Sequence, residues 1–197
     1  MSKIVVDPRK RPRQRRSEAT VDAILEAAAR ILESDGLDAL TTNAVADRAG
    51  VSVGSLYQYF PGKTALLAEL IRRERGALVR RIAATAAKPA SNLEADVAAF
   101  IDAAVAHQLT RPALARALDF LEPTLPLDAE SSTLNANLAD IVSAFLMRHG
   151  VTAPEQAARD LIALTKGMVD AAGMTGETDH ASLSSRVTRA AVGYLLR

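Results

Sequence analysis

The densest chemical signal in the sequence lies between Thr41 and Lys63, reading TTNAVADRAGVSVGSLYQYFPGK. At helical spacing, Ser52, Val53, Gly54, Ser55, Tyr57 and Gln58 fall on the outer face of one short helix. Hydroxyl, amide and methyl groups on an uncluttered first turn are what a helix needs to enter a DNA major groove and touch base edges. Gly54 costs that helix on the order of 1 kcal/mol relative to alanine, which reflects either an unconstrained exposed site or a close approach of backbone to DNA. Lys63 follows Pro61 and Gly62 in the first turn of the next helix, where a cation opposes the helix dipole. A phosphate at that N-terminus resolves the conflict by accepting from free backbone N–H groups and from the ammonium together. The plainer alternative is a solvated lysine in a turn. Tyr57 and Tyr59 point about 200° apart on a helix, so both cannot be core aromatics on one face. Tyr57 is expected to be the more exposed, its hydroxyl reaching a phosphate.

Enzymatic chemistry lacks its parts. His107, His149 and His180 are far apart in sequence, and no HExxH, GxSxG or Gly-rich phosphate loop is present. The absence of cysteine removes disulfides, thiolate zinc sites and cysteine nucleophiles. No catalytic, metal or cofactor site is expected. His149 and His180 stand near predicted helix ends and should be solvated.

The elements that position the Thr41–Lys63 residues can be read from periodicity. Val21, Ile24, Leu25, Ala28, Ile31 and Leu32 define a first helix ending at Gly36. Leu37 and Leu40 carry a short connection to Thr41, a plausible N-cap for a second helix that Gly50 interrupts. Val45, Ala46, Ala49, Val51, Leu56 and Tyr59 or Phe60 would meet where the second and third helices cross, with Gly50 supplying the turn. Further helices are predicted from Lys63 toward Ala84, over Leu93–Leu109, over Pro112–Leu121, from Glu130 to Arg148, from a Thr152-Ala-Pro-Glu155 capping box to Ala172, and from Ala181 to Leu196. The segment Glu122–Leu127 reads as a loop. The prediction is an all-α fold of about nine helices. An N-terminal three-helix helix-turn-helix part would be followed by a C-terminal helical part.

Charge divides the chain in the same sense. Residues 1–86 carry 15 Lys and Arg against 10 Asp and Glu, and residues 87–197 carry 9 against 13. Only the first part suits a polyanion. The first 16 residues are the extreme, with Lys3, Arg9, Lys10, Arg11, Arg13, Arg15 and Arg16 against Asp7 alone, together with Pro8 and Pro12. Such a segment is expected to be a disordered basic arm, either solubilising or following DNA phosphates into a minor groove. The expected division is therefore arm 1–16, DNA-binding part 17–86 and effector and dimerisation part 87–197. With no apolar run of the roughly 20 residues a membrane helix needs and no secretory pattern, a cytoplasmic location is expected.

The Gly36-Leu-Asp-Ala-Leu-Thr-Thr entry, the Val45-Ala46-x-x-Ala49-Gly50-Val51-Ser52 turn and the Leu56-Tyr57-x-Tyr59-Phe60-x-x-Lys63 exit resemble the TetR family. The resemblance covers about residues 17–70. It implies a homodimeric transcriptional regulator with two DNA-reading heads, a divergent helical effector domain, and release from an inverted-repeat operator when a small molecule binds. Carried over by position, Thr42 and Asn43 lie at the DNA end of the second helix. Val53, Gly54, Ser55, Tyr57, Gln58 and Tyr59 face DNA, and Lys63 holds a phosphate. Many members have histidine at the Tyr59 position, and the tetracycline repressor has an arginine where this chain has Asn43, so no operator sequence transfers.

In the C-terminal part, Phe100, Ala104, Phe120 and Met168 are expected to line an apolar pocket with Leu121, Leu138 and Phe145, while His107 and Asp170 offer polar groups beside Gln108 and Asn137. His107 could equally be a satisfied core residue. Leu161, Ile162, Thr165 and Val169 on one helix, with Leu183, Val187, Ala190 and Tyr194 on the last, form apolar stripes. By resemblance these pair with their symmetry mates as a four-helix dimer interface, although the same stripes could face an internal core. An architectural DNA-binding protein without an effector, or a helical small-molecule-binding protein, are the competing readings.

Overall fold

The computed structural model describes residues 5–9, 15–88 and 91–196. Among them are ten α-helices, one 3-10 turn and no strand. The additional helix is α2 (Gly36–Ala39), a single turn where a plain connection was expected. Gly36 takes φ +80°, which stops α1 (Arg15–Ser34) and lets Leu37 start anew, while Leu40 drops into the core.

The chain forms two compact units. The first comprises residues 1–74 and 113–128. Its core takes Val21, Ile24, Leu25, Ala28, Ile31 and Leu32 from α1, Val45 and Ala46 from α3 (Thr42–Arg48), and Leu56 from α4 (Val53–Tyr59). Phe60 and the first turns of α5 (Lys63–Ala86), with Leu66, Leu67, Leu70 and Ile71, complete one wall. Another is α7 (Pro112–Leu121) with Leu114, Leu118 and Leu121, followed by a 3-10 turn over Glu122–Thr124 and then buried Leu125 and Leu127. The expected change of unit at residue 87 is therefore not where compactness changes. The segment 113–128 lies in the core of the N-terminal unit because its leucines recur at i, i+4, i+7 toward it.

The second unit comprises residues 75–112 and 129–197. In it α10 (His180–Leu195) packs on α6 (Leu93–Thr110) and on α9 (Pro154–Thr175), and α6 also packs on α9. Val97, Phe100 and Ile101 of α6 meet Val142, Phe145 and Leu146 of α8 (Asp128–Arg148) in the same core. The rings of Phe100 and Phe145 lie 4.3 Å apart between centroids. His149 was expected to be solvated but is buried against Phe145, with Nε2 3.0 Å from Asp96 Oδ2, though without hydrogen-bond alignment. The Ser91 backbone N–H and hydroxyl, helped by His149, hold the Asp96 carboxyl below its usual pKa. The Thr152 capping box does not form: α9 begins at Pro154 after Ala153, which takes φ +49° and offers no side-chain cap. Proline suits that first helical position, where its fixed φ is already helical and its missing N–H would have had no partner within the helix.

Candidate nucleic-acid interface

Helices α3 and α4 are seven residues each, too short to persist without help at their ends. Thr41 Oγ1 accepts from the Ala44 N–H at 3.1 Å, and Ser52 Oγ accepts from the Ser55 N–H at 3.0 Å. Gly50, at φ +66°, makes the turn between them, and the Val51 N–H returns to the Ala46 carbonyl. Buried Val45, Ala46 and Leu56 fix the crossing. The opposite face of α4 is thereby turned outward.

On that face Ser52, Val53, Gly54, Tyr57 and Gln58 are exposed and Ser55 is half-buried; Asn43 is exposed and Thr42 half-buried at the start of α3. A Cβ at Gly54 would meet only Ser52 Oγ, at 3.9 Å, so nothing inside the chain requires glycine there. The hydroxyls are already ordered. Thr42 Oγ1 and the Tyr57 hydroxyl lie 3.1 Å apart, which ties the start of α3 to the last turn of α4. Ser52 and Ser55 share a hydrogen bond of 2.8 Å between hydroxyls. The Lys63 ammonium donates to the Leu37 carbonyl at 2.6 Å. That bond joins α2 to the start of α5 and gives this cation an internal partner at a helix N-terminus, in addition to any phosphate.

Tyr59, expected among the DNA-facing residues, is only 9% exposed and belongs to the core. Its neighbour Tyr57 is 38% exposed. Residues two apart on a helix cannot share a face, and it is Tyr59 that joins the core. Arg13 lies outside the described residues, and Arg15 and Arg16 are the first two residues of α1. Against the expectation of disorder, the described residues 5–9 of the arm are docked. Val6 packs on the core and its carbonyl accepts from Arg72 Nη1 at 3.1 Å; Asp7 pairs with Arg72 Nη2 at 3.0 Å; and the Arg9 N–H donates to the Tyr59 carbonyl at 2.7 Å. Sequence reasoning missed Arg72 and this docking. The signal was the apolar Val5-Val6 pair within an otherwise basic segment.

The residues expected to bind a ligand are dispersed. Phe100 is buried in the core of the second unit, Met168 packs against that core, and Ala104 and His107 are half-buried. Phe120, by contrast, is 78% exposed on α7, in the other unit. It adjoins Leu121 but is turned about 100° from it, so large size misled where leucine spacing was the better guide. Asp170 pairs with Lys166 one turn away at 2.6 Å on the outside of α9 rather than supplying a polar group to a pocket.

The expected dimer stripes divide in the same way. Leu161, Val169, Leu183 and Val187 are buried within the chain's own core, so they are not a free surface. Ile162, Thr165 and Ala190 are half-buried, and Tyr194 is exposed with its hydroxyl donating to Asp160 Oδ2 at 2.5 Å. That bond lowers the Asp160 carboxyl pKa and raises that of the Tyr194 phenol. What α9 and α10 leave open is a different face: Ala163, Gly167 and Met174 on the one, Ser185 and Arg189 on the other, with Leu196 exposed just past its end.

Comparison with known proteins is consistent with this architecture. Residues 24–70 match the family described as bacterial regulatory proteins, tetR family, and residues 92–195 match the tetracyclin repressor-like C-terminal domain. The HTH-type transcriptional repressor KstR of Mycobacterium tuberculosis is 32% identical over 136 residues, which is 68% of this chain and 60% of that repressor. The nucleoid occlusion factor SlmA of Serratia proteamaculans is 42% identical over 71 residues, covering 36% of this chain and 33% of that protein. The chain thus spans between about a third and three fifths of these relatives. The fatty acid degradation regulator FadR from Bacillus halodurans has the same fold, with a TM-score of 0.73 at 18% identity, over 93% of this chain and 97% of that one. With both its helix-turn-helix segment and more than half its length matched, the chain belongs to the TetR family of bacterial regulatory proteins.

Proposed function

We propose that this protein is a homodimeric, ligand-responsive transcriptional repressor that binds an inverted-repeat operator through α4 and acts in the cytoplasm. The observation that carries the reading is the outward face of α4, where Tyr57 and Gln58 are exposed while Thr42, Ser52 and Ser55 order the hydroxyls around them. Such a face can enter a major groove with its N-terminal turn foremost. Lys63, held at Leu37, retains two ammonium protons for a phosphate.

SlmA, a nucleoid occlusion factor, supplies the second reading, a role in nucleoid occlusion. KstR favours repression, because its match extends over 136 residues and so well beyond the helix-turn-helix. The effector site is proposed around the Phe100, Ala104, His107 and Met168 side of the second unit, without Phe120 and Asp170. Helix α5 runs without interruption from Lys63 to Ala86 and is the covalent route by which effector binding could reach the head. Pairing of two copies is proposed through the open face of α9 and α10, where Gly167 and Gly193 have empty space at their Cβ positions. Glycine costs a helix interior on the order of 1 kcal/mol, and close approach of a second helix offsets that cost.

The test is selection of bound fragments from genomic DNA followed by titration against salt. Recovery of a short inverted repeat is expected, with affinity falling steeply as salt rises. Lys63→Ala should weaken all sequences about equally, and Gln58→Ala should alter base preference. A protein that retains no duplex at low salt is not a DNA-binding regulator.

A further inference from the structure

Helix α4 ends at Tyr59, and the last carbonyls of any helix lack partners within it. Here one of them is satisfied from outside, by the Arg9 N–H at 2.7 Å. The segment that delivers this N–H is fastened at its other end. Arg72 donates to the Val6 carbonyl and pairs with Asp7, Val6 rests on the core, and Glu69 lies 3.5 Å from the same guanidinium. Arg72 is 20% exposed at its side chain, so its two arm contacts are made at a largely covered guanidinium. A planar fork that donates to a carbonyl and a carboxylate at once fixes direction as well as distance.

We propose that Val5–Arg9 is a positioning strap for the DNA-reading helix, closing the C-terminus of α4 from outside, with Arg72 as the residue that holds it. The inference rests on the DNA-binding reading above. Tyr57 and Gln58 occupy the turn of α4 that the strap closes, so their exposed side chains inherit its order. Loss of the strap lets that turn fray, and a frayed turn meets base edges less often than it meets phosphates. Arg72 acts through α4 and need not touch DNA itself.

The experiment uses the full-length protein and two charge-conserving variants, Arg72→Lys and Val6→Ser, so that any change in binding is not a change in net charge. Dissociation constants are measured for the selected operator and for a random duplex of equal length. Backbone amide exchange is followed at Arg9 in the free protein. The expected result is a slowly exchanging Arg9 amide in the wild type that becomes fast in both variants. The expected operator affinity is lower by roughly three- to tenfold, with random-duplex affinity nearly unchanged. A fast Arg9 amide in the wild type overturns the strap, as does an unchanged ratio of operator to random-duplex affinity in variants whose amide has been freed. Should the wild type bind no duplex at all, the DNA-binding reading fails instead, and Arg9 exchange still reports whether the strap exists. Thermal melts accompany both variants; Val6→Ser removes the arm's own contact with the core and changes no residue of the helices.

Discussion

The α3–α4 pair and the α9–α10 pair are both helix pairs with a buried side and an open side, yet they differ in what the open side is made of. On α3 and α4 the open side carries hydroxyls already joined to one another and to helix ends, as in Thr42 with Tyr57 and Ser52 with Ser55. On α9 and α10 it carries the small and aliphatic residues Ala163, Gly167 and Met174 beside Ser185 and Arg189, while most of the large apolar residues have gone inside. An ordered polar surface suits a partner recognised by hydrogen bonds. A surface of small residues suits a partner recognised by close approach, another helix above all.

Substitution can break that comparison. The largest effect is expected from Val187→Glu, because Val187 is fully buried and a charge there has no partner; a loss of about 3–5 kcal/mol should leave little folded protein. Gly167→Glu, on the open face of the same helix pair, should fold with an unchanged or higher melting temperature and yet sediment as a monomer. If instead Val187→Glu gives a stable monomer and Gly167→Glu remains dimeric, the open and buried faces have been exchanged.

A smaller effect tests the head. Ser52→Ala removes the oxygen that caps α4 and the partner of the Ser55 hydroxyl, and should cost about 1 kcal/mol in a denaturant titration. Operator affinity should fall further than global stability alone explains, since the freed turn is the one that would enter the groove. Equal affinity in wild type and variant would mean that α4 is ordered by DNA and not beforehand.

The smallest effect is expected from Tyr194→Phe, whose wild-type hydroxyl donates to Asp160. The Asp160 carboxyl titrates below its usual 3.8 in the folded chain, so the stability it contributes is present above that value and lost as pH falls through the lower folded value. The Tyr194 phenol titrates above its usual 10.0, so its contribution is present below that value and lost as pH rises through the higher folded one. The difference in melting temperature between wild type and variant should therefore be flat from about pH 4 to 10 and vanish outside that window. A difference that grew on acidification would assign the bond no role.

How much of this was legible depended on how many constraints acted on one segment. Around Thr41–Lys63, caps, turn glycine and crossing residues all had to agree, so the two helices and their caps could be read from spacing, whereas spacing said only that Tyr57 and Tyr59 could not share a face and the family position wrongly turned Tyr59 toward DNA. The stripes of Leu161, Val169, Leu183 and Val187 obeyed a single constraint, that one face be covered. Periodicity says that a face is buried without saying by what. The same ambiguity sent Phe120 inward in the reading and outward in the structure, where Leu114, Leu118 and Leu121 hold the covered side of α7. The strap was hidden for another reason: it depends on Val6, Asp7, Tyr59 and Arg72, which come together only after folding, and nothing in local composition distinguishes Arg72 from Arg73, its neighbour on α5, which pairs instead with Asp22.

The composition of the first unit also sets a timetable. Residues 1–74 leave the ribosome well before residues 113–128, yet Leu114, Leu118, Leu121, Leu125 and Leu127 form part of the same core. While the intervening stretch is being made, at roughly 5–20 residues per second, α1, α3, α4 and the start of α5 wait for seconds with an open apolar wall. The nascent head thus exposes apolar surface until that segment has been made. A gene fragment cut at codon 74, the natural choice for isolating a DNA-binding domain, would make that transient vulnerability permanent; the smallest autonomous head is one in which the 113–128 segment is grafted back.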